Sequence, residues 1–382
     1  MIVTASVLLV AVGLFGTIVN QKVRKPSAFE IPSATAVGLN VSPDGKLLCT
    51  TLYSGRQTST ERLTTLRVFD MKTQSIVATL NVEVEDHPGD ELLACVWNST
   101  GSTLGVGRTL GRGIELWDTN TWTKTRGLPV SPAVTIGGIS FDRDDNLYAV
   151  IRDSVHEYSD DPRTDRAIFW RQPLKVSDPK EVVLFPEVYM PAKVKAFSVS
   201  GAPDGKELRV AISFEDSAPT QVFLITPTAS DKWERQSELV LPSSERAWVR
   251  FSNDGGHLAI LDSLKMVFRL YRIRDRTFDQ IKHVQGETGV RIRDPVSRDH
   301  QVESVLQVID FSRDERALAC RFDDRVKVYR LSDGAEIFDL PEKTCSVALS
   351  PDARYLLTSR LDENKICAYE LNIETAGEPE QH

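Results

Sequence analysis

One short pattern recurs along the chain: an alternating apolar strand, a tight polar turn and a second apolar strand. The first copy, residues 39–48, contains Ser42-Pro43-Asp44-Gly45, and the last, residues 347–357, contains Ser350-Pro351-Asp352-Ala353. Pro at the second turn position fixes φ, whereas Asp and Gly tolerate the φ values that reverse the chain. Weaker copies occupy residues 95–104, 139–147, 197–208, 248–258 and 308–318. The chain is therefore predicted to form seven β-hairpins spaced about 40 to 60 residues apart, which is typical of a repeat architecture.

Each hairpin is followed by a third apolar strand, and most of the repeats continue into a fourth. The third strands are predicted at residues 66–70, 114–118, 167–170, 221–225, 268–271, 326–329 and 366–369. The fourth strands tend to end in an apolar residue and Pro, which an edge strand tolerates. The last repeat lacks a fourth strand, but Phe29-Glu30-Ile31-Pro32 is similar to Phe338-Asp339-Leu340-Pro341, which occupies that place in the sixth repeat. We therefore expect the N-terminal strand to complete the seventh unit and to close a ring.

Two of the third strands end in an aromatic residue followed by aspartate, namely Phe69-Asp70 and Trp117-Asp118. Trp117-Asp118 matches the dipeptide that gives WD repeats their name, although no Gly-His pair precedes any of the repeats. Over roughly residues 27–373 the chain resembles the WD-repeat and WD-like superfamily. The resemblance implies an all-β fold, a seven-bladed β-propeller, that serves as a scaffold for protein–protein interactions.

The N-terminal segment is apolar enough to cross a membrane. Residues 2–19 contain no charged side chain, and 18 helical residues at about 1.5 Å each span about 27 Å. We therefore predict one transmembrane helix over residues 1–21 and a basic linker over residues 22–26. A cleaved signal sequence is the alternative, but no basic residue precedes the apolar run and residues 18–20 are a poor cleavage site. Because Lys22, Arg24 and Lys25 follow the segment, the propeller is expected on the cytoplasmic side of a single-pass membrane protein.

Charge and cysteine usage exclude several classes of function. Lys22, Arg24 and Lys25 are the only charged residues among the first 25, so the remainder carries 43 basic against 54 acidic residues, a net charge of −11. This balance argues against nucleic-acid binding. The five cysteines are odd in number, have no Cys-x-x-Cys spacing and all fall in predicted strands, so neither a disulfide framework nor a zinc site is expected. Residues 374–382 are predicted to form a disordered acidic tail.

Motifs that would carry chemistry are missing from the sequence. The six histidines are dispersed, and no nucleophile elbow or phosphate-binding loop is present. Residues 142–146 together with Asp153 have the ligand spacing of a calcium loop, but Leu147 stands where such a loop needs Gly. We therefore interpret that segment as the turn of the third hairpin. No catalytic, cofactor-binding or metal-binding residue is assigned, and no cofactor is expected.

The long connections between strands are a better guide to a binding site than the chemical motifs are. Residues 53–63, 153–166, 187–193 and 286–303 all join a second strand to a third, or one repeat to the next, so all should project from the same face. Residues 286–303 mix three arginines with four acidic residues, which favours recognition of a protein or peptide, whereas residues 153–166 are mainly acidic. The candidate binding residues are Asp153, His156, Arg163, Arg166, Arg291, Arg293 and Arg298.

These observations favour a membrane-anchored, non-catalytic interaction scaffold that binds protein partners through the face with the long connections. One alternative is a lactonase-like propeller enzyme, which would gather carboxylate, His and Arg side chains at its central opening. The strand starts that would line this opening are mainly Ala, Val, Ile, Ser and Thr, which argues against catalysis. The other alternative is an exported or periplasmic binding propeller. The sequence does not indicate an oligomeric state.

Overall fold

The described part of the chain consists of β-strands joined by turns. The computed structural model describes residues 29–32, 36–52, 65–81, 92–108, 113–128, 134–141, 144–153, 166–173, 182–183, 188–189, 194–201, 207–214, 220–227, 233–240, 247–262, 267–274, 277–285, 308–322, 325–360 and 365–373. Within these ranges no helix is long and apolar enough to cross a membrane. The predicted anchor at residues 1–21, the basic linker at 22–26 and the tail at 374–382 all lie outside them.

The first strand, β1 (Phe29–Pro32), precedes three antiparallel sheets. Sheet 1 consists of β2 (Ala36–Val41), β3 (Leu47–Leu52), β4 (Thr65–Asp70) and β5 (Ile76–Asn81). Sheet 2 consists of β6 (Leu92–Trp97), β7 (Thr103–Arg108), β8 (Ile114–Asp118) and β9 (Thr123–Leu128). Sheet 3 consists of β10 (Val134–Phe141), β11 (Asn146–Asp153), β12 (Arg166–Pro173), β13 (Val182–Val183) and β14 (Val188–Tyr189).

Four further sheets follow in the same order. Sheet 4 consists of β15 (Val194–Gly201), β16 (Leu208–Phe214), β17 (Gln221–Pro227) and β18 (Trp233–Val240). Sheet 5 consists of β19 (Ala247–Phe251), β20 (His257–Asp262), β21 (Val267–Arg274) and β22 (Thr277–Gln285). Sheet 6 consists of β23 (Ile309–Phe311), β24 (Ala317–Arg321), β25 (Val326–Arg330) and β26 (Glu336–Leu340). Sheet 7 consists of β27 (Ser346–Leu349), β28 (Tyr355–Arg360), β29 (Lys365–Glu370) and β1.

The seven predicted hairpins are confirmed, since the first two strands of every sheet pair antiparallel around the expected turn. The third strands are likewise found where the sequence predicts them. The prediction that the N-terminal strand joins the last repeat is confirmed as well, because β1 pairs with β29 and Phe29 lies opposite Ala368. This pairing gives β29 a partner on both sides.

Apolar layers lie between consecutive sheets. The first strand of each sheet contacts the first strand of the next, and β27 of sheet 7 contacts β2 of sheet 1. Between sheets 1 and 2 the layer includes Val68 and Leu104, and between sheets 7 and 1 it includes Leu357 and Leu39. Burying a side chain of this size stabilises the fold by about 1.5–3 kcal/mol. The sheets are therefore held together by side-chain packing, while hydrogen bonds hold the strands together within each sheet.

The five cysteines are free thiols. Cys95 is half-buried and the other four are buried. Cys345 differs from the prediction, because it lies one residue before β27 and not within a strand. Its position in the bend still buries the thiol against the apolar layer that includes Leu331.

Four of the hairpin turns repeat one hydrogen-bond pattern. The serine hydroxyl donates to the aspartate two residues later at 2.7 Å, in the pairs Ser42–Asp44, Ser252–Asp254, Ser312–Asp314 and Ser350–Asp352. The same hydroxyl accepts a hydrogen bond from the backbone amide five residues after the serine, at 2.9 Å. These bonds satisfy backbone groups that the reversal of the chain leaves unpaired. The recurring Ser-x-Asp is therefore a structural element of the turn.

The fourth position of each described turn has a positive φ. Glycine occupies it in three turns, at Gly45, Gly101 and Gly255, with φ between 72° and 77°. Asp145, Glu315 and Ala353 occupy the equivalent position in three others, with φ between 56° and 62°. A side chain at such φ is strained by about 1–2 kcal/mol relative to glycine. The positive φ explains why glycine occupies this position in three turns. It does not explain why Asp145 and Glu315 carry larger side chains there.

Candidate functional site

The two faces of the fold are distinguished by their connections. We call the turn face the one that carries the turns joining first to second and third to fourth strands. Backbone hydrogen bonds join these turns within a sheet: Met71 N donates to the Lys46 carbonyl at 2.8 Å, and Leu331 N to the Arg316 carbonyl at 3.0 Å. Because successive strands alternate in direction, all other connections leave from the opposite face, which we call the connection face.

The predicted long connections all join strand ends at the connection face. Residues 53–63 link β3 to β4, residues 154–165 link β11 to β12, and residues 286–303 lie between β22 and β23. The predicted connection 187–193 is only partly correct, because Val188–Tyr189 form β14 and pair with β12; residues 190–193 then join this strand to β15 of the next sheet. The topology therefore supports the prediction that these segments emerge on one side of the molecule.

The structure describes two of the seven predicted binding residues. Asp153 ends β11 and Arg166 begins β12, and their neighbours Arg152 and Ala167 are paired across the two strands. The backbones of Asp153 and Arg166 are thus adjacent at the connection face. The remaining five, His156, Arg163, Arg291, Arg293 and Arg298, lie outside the described residues, and their grouping stays a prediction.

On the turn face, the hairpin turns of neighbouring sheets contact one another. Asp145 of sheet 3 accepts a hydrogen bond from the Ser99 amide of sheet 2 at 2.7 Å. A Cβ atom at Gly101 would lie 3.2 Å from Cδ of Pro43, so the turns of sheets 1 and 2 approach closely where the glycine leaves room. Asp145 belongs to the segment with calcium-loop spacing, and its side chain serves this contact between turns.

The contacts continue around the turn face through sheets 6 and 7. The Asp314 amide donates to the Pro351 carbonyl at 2.9 Å, and Nη2 of Arg316 donates to the Asp352 carbonyl at 2.7 Å. Arg313 reaches further, because its Nη2 donates at 2.6 Å to the carbonyl of Ser99, which is 214 residues away in sheet 2. Sheets 6 and 2 are not neighbours in chain order, so this side chain links two turns that are far apart in the sequence.

A pocket of about 960 Å³ opens on this face between the turns of sheets 1, 6 and 7. Its lining carries charges of both signs, from Lys46, Lys72 and Arg313 and from Asp44, Asp70, Asp314 and Asp352. Burial raises the pKa of Asp44 and Asp352, but the hydrogen bonds from Ser42 and Ser350 and from the turn amides outweigh it, so both pKa values are lowered. These carboxylates therefore remain ionised at neutral pH and act as structural hydrogen-bond acceptors.

The aspartates of the two WD-like dipeptides also serve their own turns. Asp118 accepts hydrogen bonds from the amides of Asn120 and Thr121 at 2.9 Å, and these bonds lower its pKa. The neighbouring Trp117 donates its indole N–H to Glu115 at 3.3 Å. The dipeptide thus closes the turn between the third and fourth strands, and its tryptophan is paired with a carboxylate.

Sequence reasoning missed one cluster of polar side chains on the turn face. His257, one of the six histidines that are dispersed in the sequence, begins β20, and its side chain is only 15% exposed. It lies beside Asp254 of its own turn and Glu315 of the next sheet. An alignment of the repeats would have indicated this cluster, because most copies carry other residue types at the positions of His257 and Glu315.

Comparison with known proteins provides structural matches only. No protein-family model matches the chain, and no curated protein matches its sequence. The solved structures include the β-propeller domain of Cps50 (Swd1) from Myceliophteria thermophila, 12% identical, with a TM-score of 0.60 over 90% of this chain and 99% of that one. The fold is a β-propeller.

Two further solved structures resemble this propeller at similar sequence distance. A chain of the mitotic checkpoint complex is 15% identical, with a TM-score of 0.62 over 91% of this chain and 96% of that one. A chain of hydrazine synthase from Kuenenia stuttgartiensis is 14% identical, with a TM-score of 0.62 over 94% of this chain and all of that one. At this level of identity the likeness establishes the fold and leaves the function to be argued from the molecule itself.

Proposed function

We propose that the chain is a seven-bladed propeller, closed by its N-terminal strand, that acts as a non-catalytic scaffold for protein partners. Blade number and closure are supported by the seven described sheets, by the contact of β27 with β2 and by the pairing of β1 with β29. In such a ring the strand from one end of the chain locks the last blade to the first.

The binding role rests on one observation, the placement of the long connections. All of them attach to strand ends at the connection face, whereas the described turns on the opposite face are short and hydrogen-bonded to one another. Connections of this length are uncommon in compact domains unless they have a function. Residues 286–303 include three arginines and four acidic residues, a mixture suited to a peptide or protein surface.

A replacement of residues 286–303 by a short Gly-Ser linker tests this proposal. We expect the variant to fold with an unchanged melting temperature but to lose most of the partner recovered by the parent chain in proximity labelling and pull-down. The matched control is the double variant Lys46→Ala, Lys72→Ala on the turn face, which should keep the partner. Equal recovery by all three chains would show that this connection is not a binding surface.

We further propose that residues 1–21 anchor the propeller to a membrane, with the turn face towards the bilayer and the propeller in the cytoplasm. Phe29 pairs with Ala368 near the end of β29, and Pro32 pairs with Lys365 at its beginning, so β1 starts from the turn face. Only about seven residues separate residue 21 from β1, and they reach about 25 Å at most. The connection face would then point away from the membrane, where a soluble partner has access.

The anchor has a simple test. The full chain should remain in the membrane pellet after an alkaline carbonate wash, whereas a chain that begins at Lys25 should be recovered in the supernatant. If the full chain is released as completely as the shortened one, residues 1–21 are not a membrane anchor.

A further inference from the structure

The cluster on the turn face between sheets 5 and 6 combines one imidazole with two carboxylates. Asp254, His257 and Glu315 each place a ligand-type atom within 4.8 Å of the others. Nδ1 of His257 lies 3.8 Å from Oε2 of Glu315, which is too far for a hydrogen bond. Their side chains are 15% and 19% exposed. Three convergent donor atoms thus meet at the junction of two sheets.

Backbone and side-chain hydrogen bonds fix the direction of both carboxylates. The Asp254 amide donates to Oε1 of Glu315 at 3.3 Å, so the other oxygen of Glu315 faces His257. Oδ1 of Asp254 accepts from the Ser252 hydroxyl and from the Gly256 amide, both at 2.7 Å. One oxygen of each carboxylate is therefore used to hold the group, and the second is available for a ligand.

Both ring nitrogens of His257 and Oε2 of Glu315 are shielded from water and have no hydrogen-bond partner among the described residues. A buried polar atom without a hydrogen bond destabilises the fold. A cation between these groups would give these atoms a partner and remove that penalty.

The turn itself does not require either His257 or Glu315. Other copies carry different residues at these two positions: Leu47, Thr103 and Tyr355 in place of the histidine, and Gly45, Gly101 and Ala353 in place of the glutamate. Glu315 has a φ of 57°, where glycine would be favoured. The histidine and the glutamate are thus additions to a turn that forms equally well with apolar or small residues.

We infer that Asp254, His257 and Glu315 bind a divalent transition-metal cation, with Zn²⁺ as the probe. Zinc takes His nitrogen and carboxylate oxygen at about 2.0–2.2 Å, so two of its tetrahedral ligands lie about 3.4 Å apart. The 3.8 Å between His257 and Glu315 needs only a small contraction to reach this value. Three protein ligands leave a fourth position for water, and the ion links the turn of sheet 5 to that of sheet 6.

Zinc retention by the full chain, purified in detergent, tests the site. After loading with zinc chloride and desalting, the parent chain should retain about one more zinc ion than Glu315→Gly or His257→Leu, measured by mass spectrometry of the metal. Both variants install residues that other copies of the turn already use, and Glu315→Gly also relieves the positive φ, so both should fold. Ala353→Gly, at the equivalent position of the next turn, is the matched control and should retain as much zinc as the parent.

Thermal melting provides the second readout. Zinc at 100 times its dissociation constant should raise the melting temperature of the parent and of Ala353→Gly by about 2–5 °C, and should leave Glu315→Gly unchanged. Equal zinc content in all four chains would overturn the inference, because it would place the ion elsewhere, for example on cysteine thiols. The absence of zinc retention and of any melting shift would also overturn it and would leave His257 and Glu315 as a simple contact between sheets.

Discussion

A chain that begins at Thr35 should melt at least several degrees lower than one that begins at Lys25, or should aggregate during purification. The shorter chain lacks β1, so β29 loses the partner that pairs with it from Phe29 to Pro32. A few backbone hydrogen bonds at about 1 kcal/mol each are lost, and an unpaired edge is exposed in the last sheet. An exposed edge of this kind pairs readily with a second molecule.

A control chain should have the length of the chain that begins at Lys25 but lack the sequence of β1. Replacement of residues 29–32 by Gly-Ser-Gly-Ser in that chain provides this control, because it keeps the linker and removes the β-forming residues. We expect this variant to behave like the deletion in thermal melting and in size-exclusion chromatography. Identical melting temperatures and a monodisperse peak for all three chains would show that β1 contributes nothing to closure.

The same strand shows what local sequence patterns are able to predict. The similarity of residues 29–32 to residues 338–341 places β1 in the last sheet, because both segments have the period-two alternation and the terminal proline of an edge strand. The hairpins were predictable for a similar reason, because the four residues Ser-Pro-Asp-Gly favour a specific turn geometry by themselves. Glu315 and Ala353 occupy the turn position that carries glycine in other copies. Both residues still adopt a positive φ, because the hydrogen bonds around their turns are the same as in the other copies.

Contacts between sheets were not predictable, because they join residues that are far apart in the sequence. Nothing near Arg313 indicates that its guanidinium binds the carbonyl of Ser99, 214 residues earlier. The cluster around His257 also depends on the packing of two turns, and neither turn contains a metal motif by itself. The predicted binding site on the long connections depends on residues such as Arg291. These residues lie outside the described part of the chain, so the site remains a prediction.

Truncation of Tyr329 should produce the largest effect of any single substitution in the apolar layer between sheets 5 and 6. Its ring is completely buried and stacks on Phe268, with the centroids 4.9 Å apart and the planes inclined by 12°. Tyr329→Ala removes this ring and leaves a cavity, which should lower the free energy of unfolding by about 3–5 kcal/mol. Denaturation by guanidinium chloride, followed by tryptophan fluorescence, measures the change as a shift of the midpoint.

Tyr329→Phe separates the contribution of the ring from that of the hydroxyl. The hydroxyl oxygen is buried and has no hydrogen-bond partner among the described residues, and burial raises the pKa of the phenol, so the group stays neutral. Removing a buried hydroxyl that lacks a partner eliminates a desolvation cost, so the phenylalanine variant should be as stable as the parent or more stable by about 1 kcal/mol. If Tyr329→Phe is instead as damaging as Tyr329→Ala, the hydroxyl makes an essential hydrogen bond, and the stacked pair is not what stabilises the junction of sheets 5 and 6.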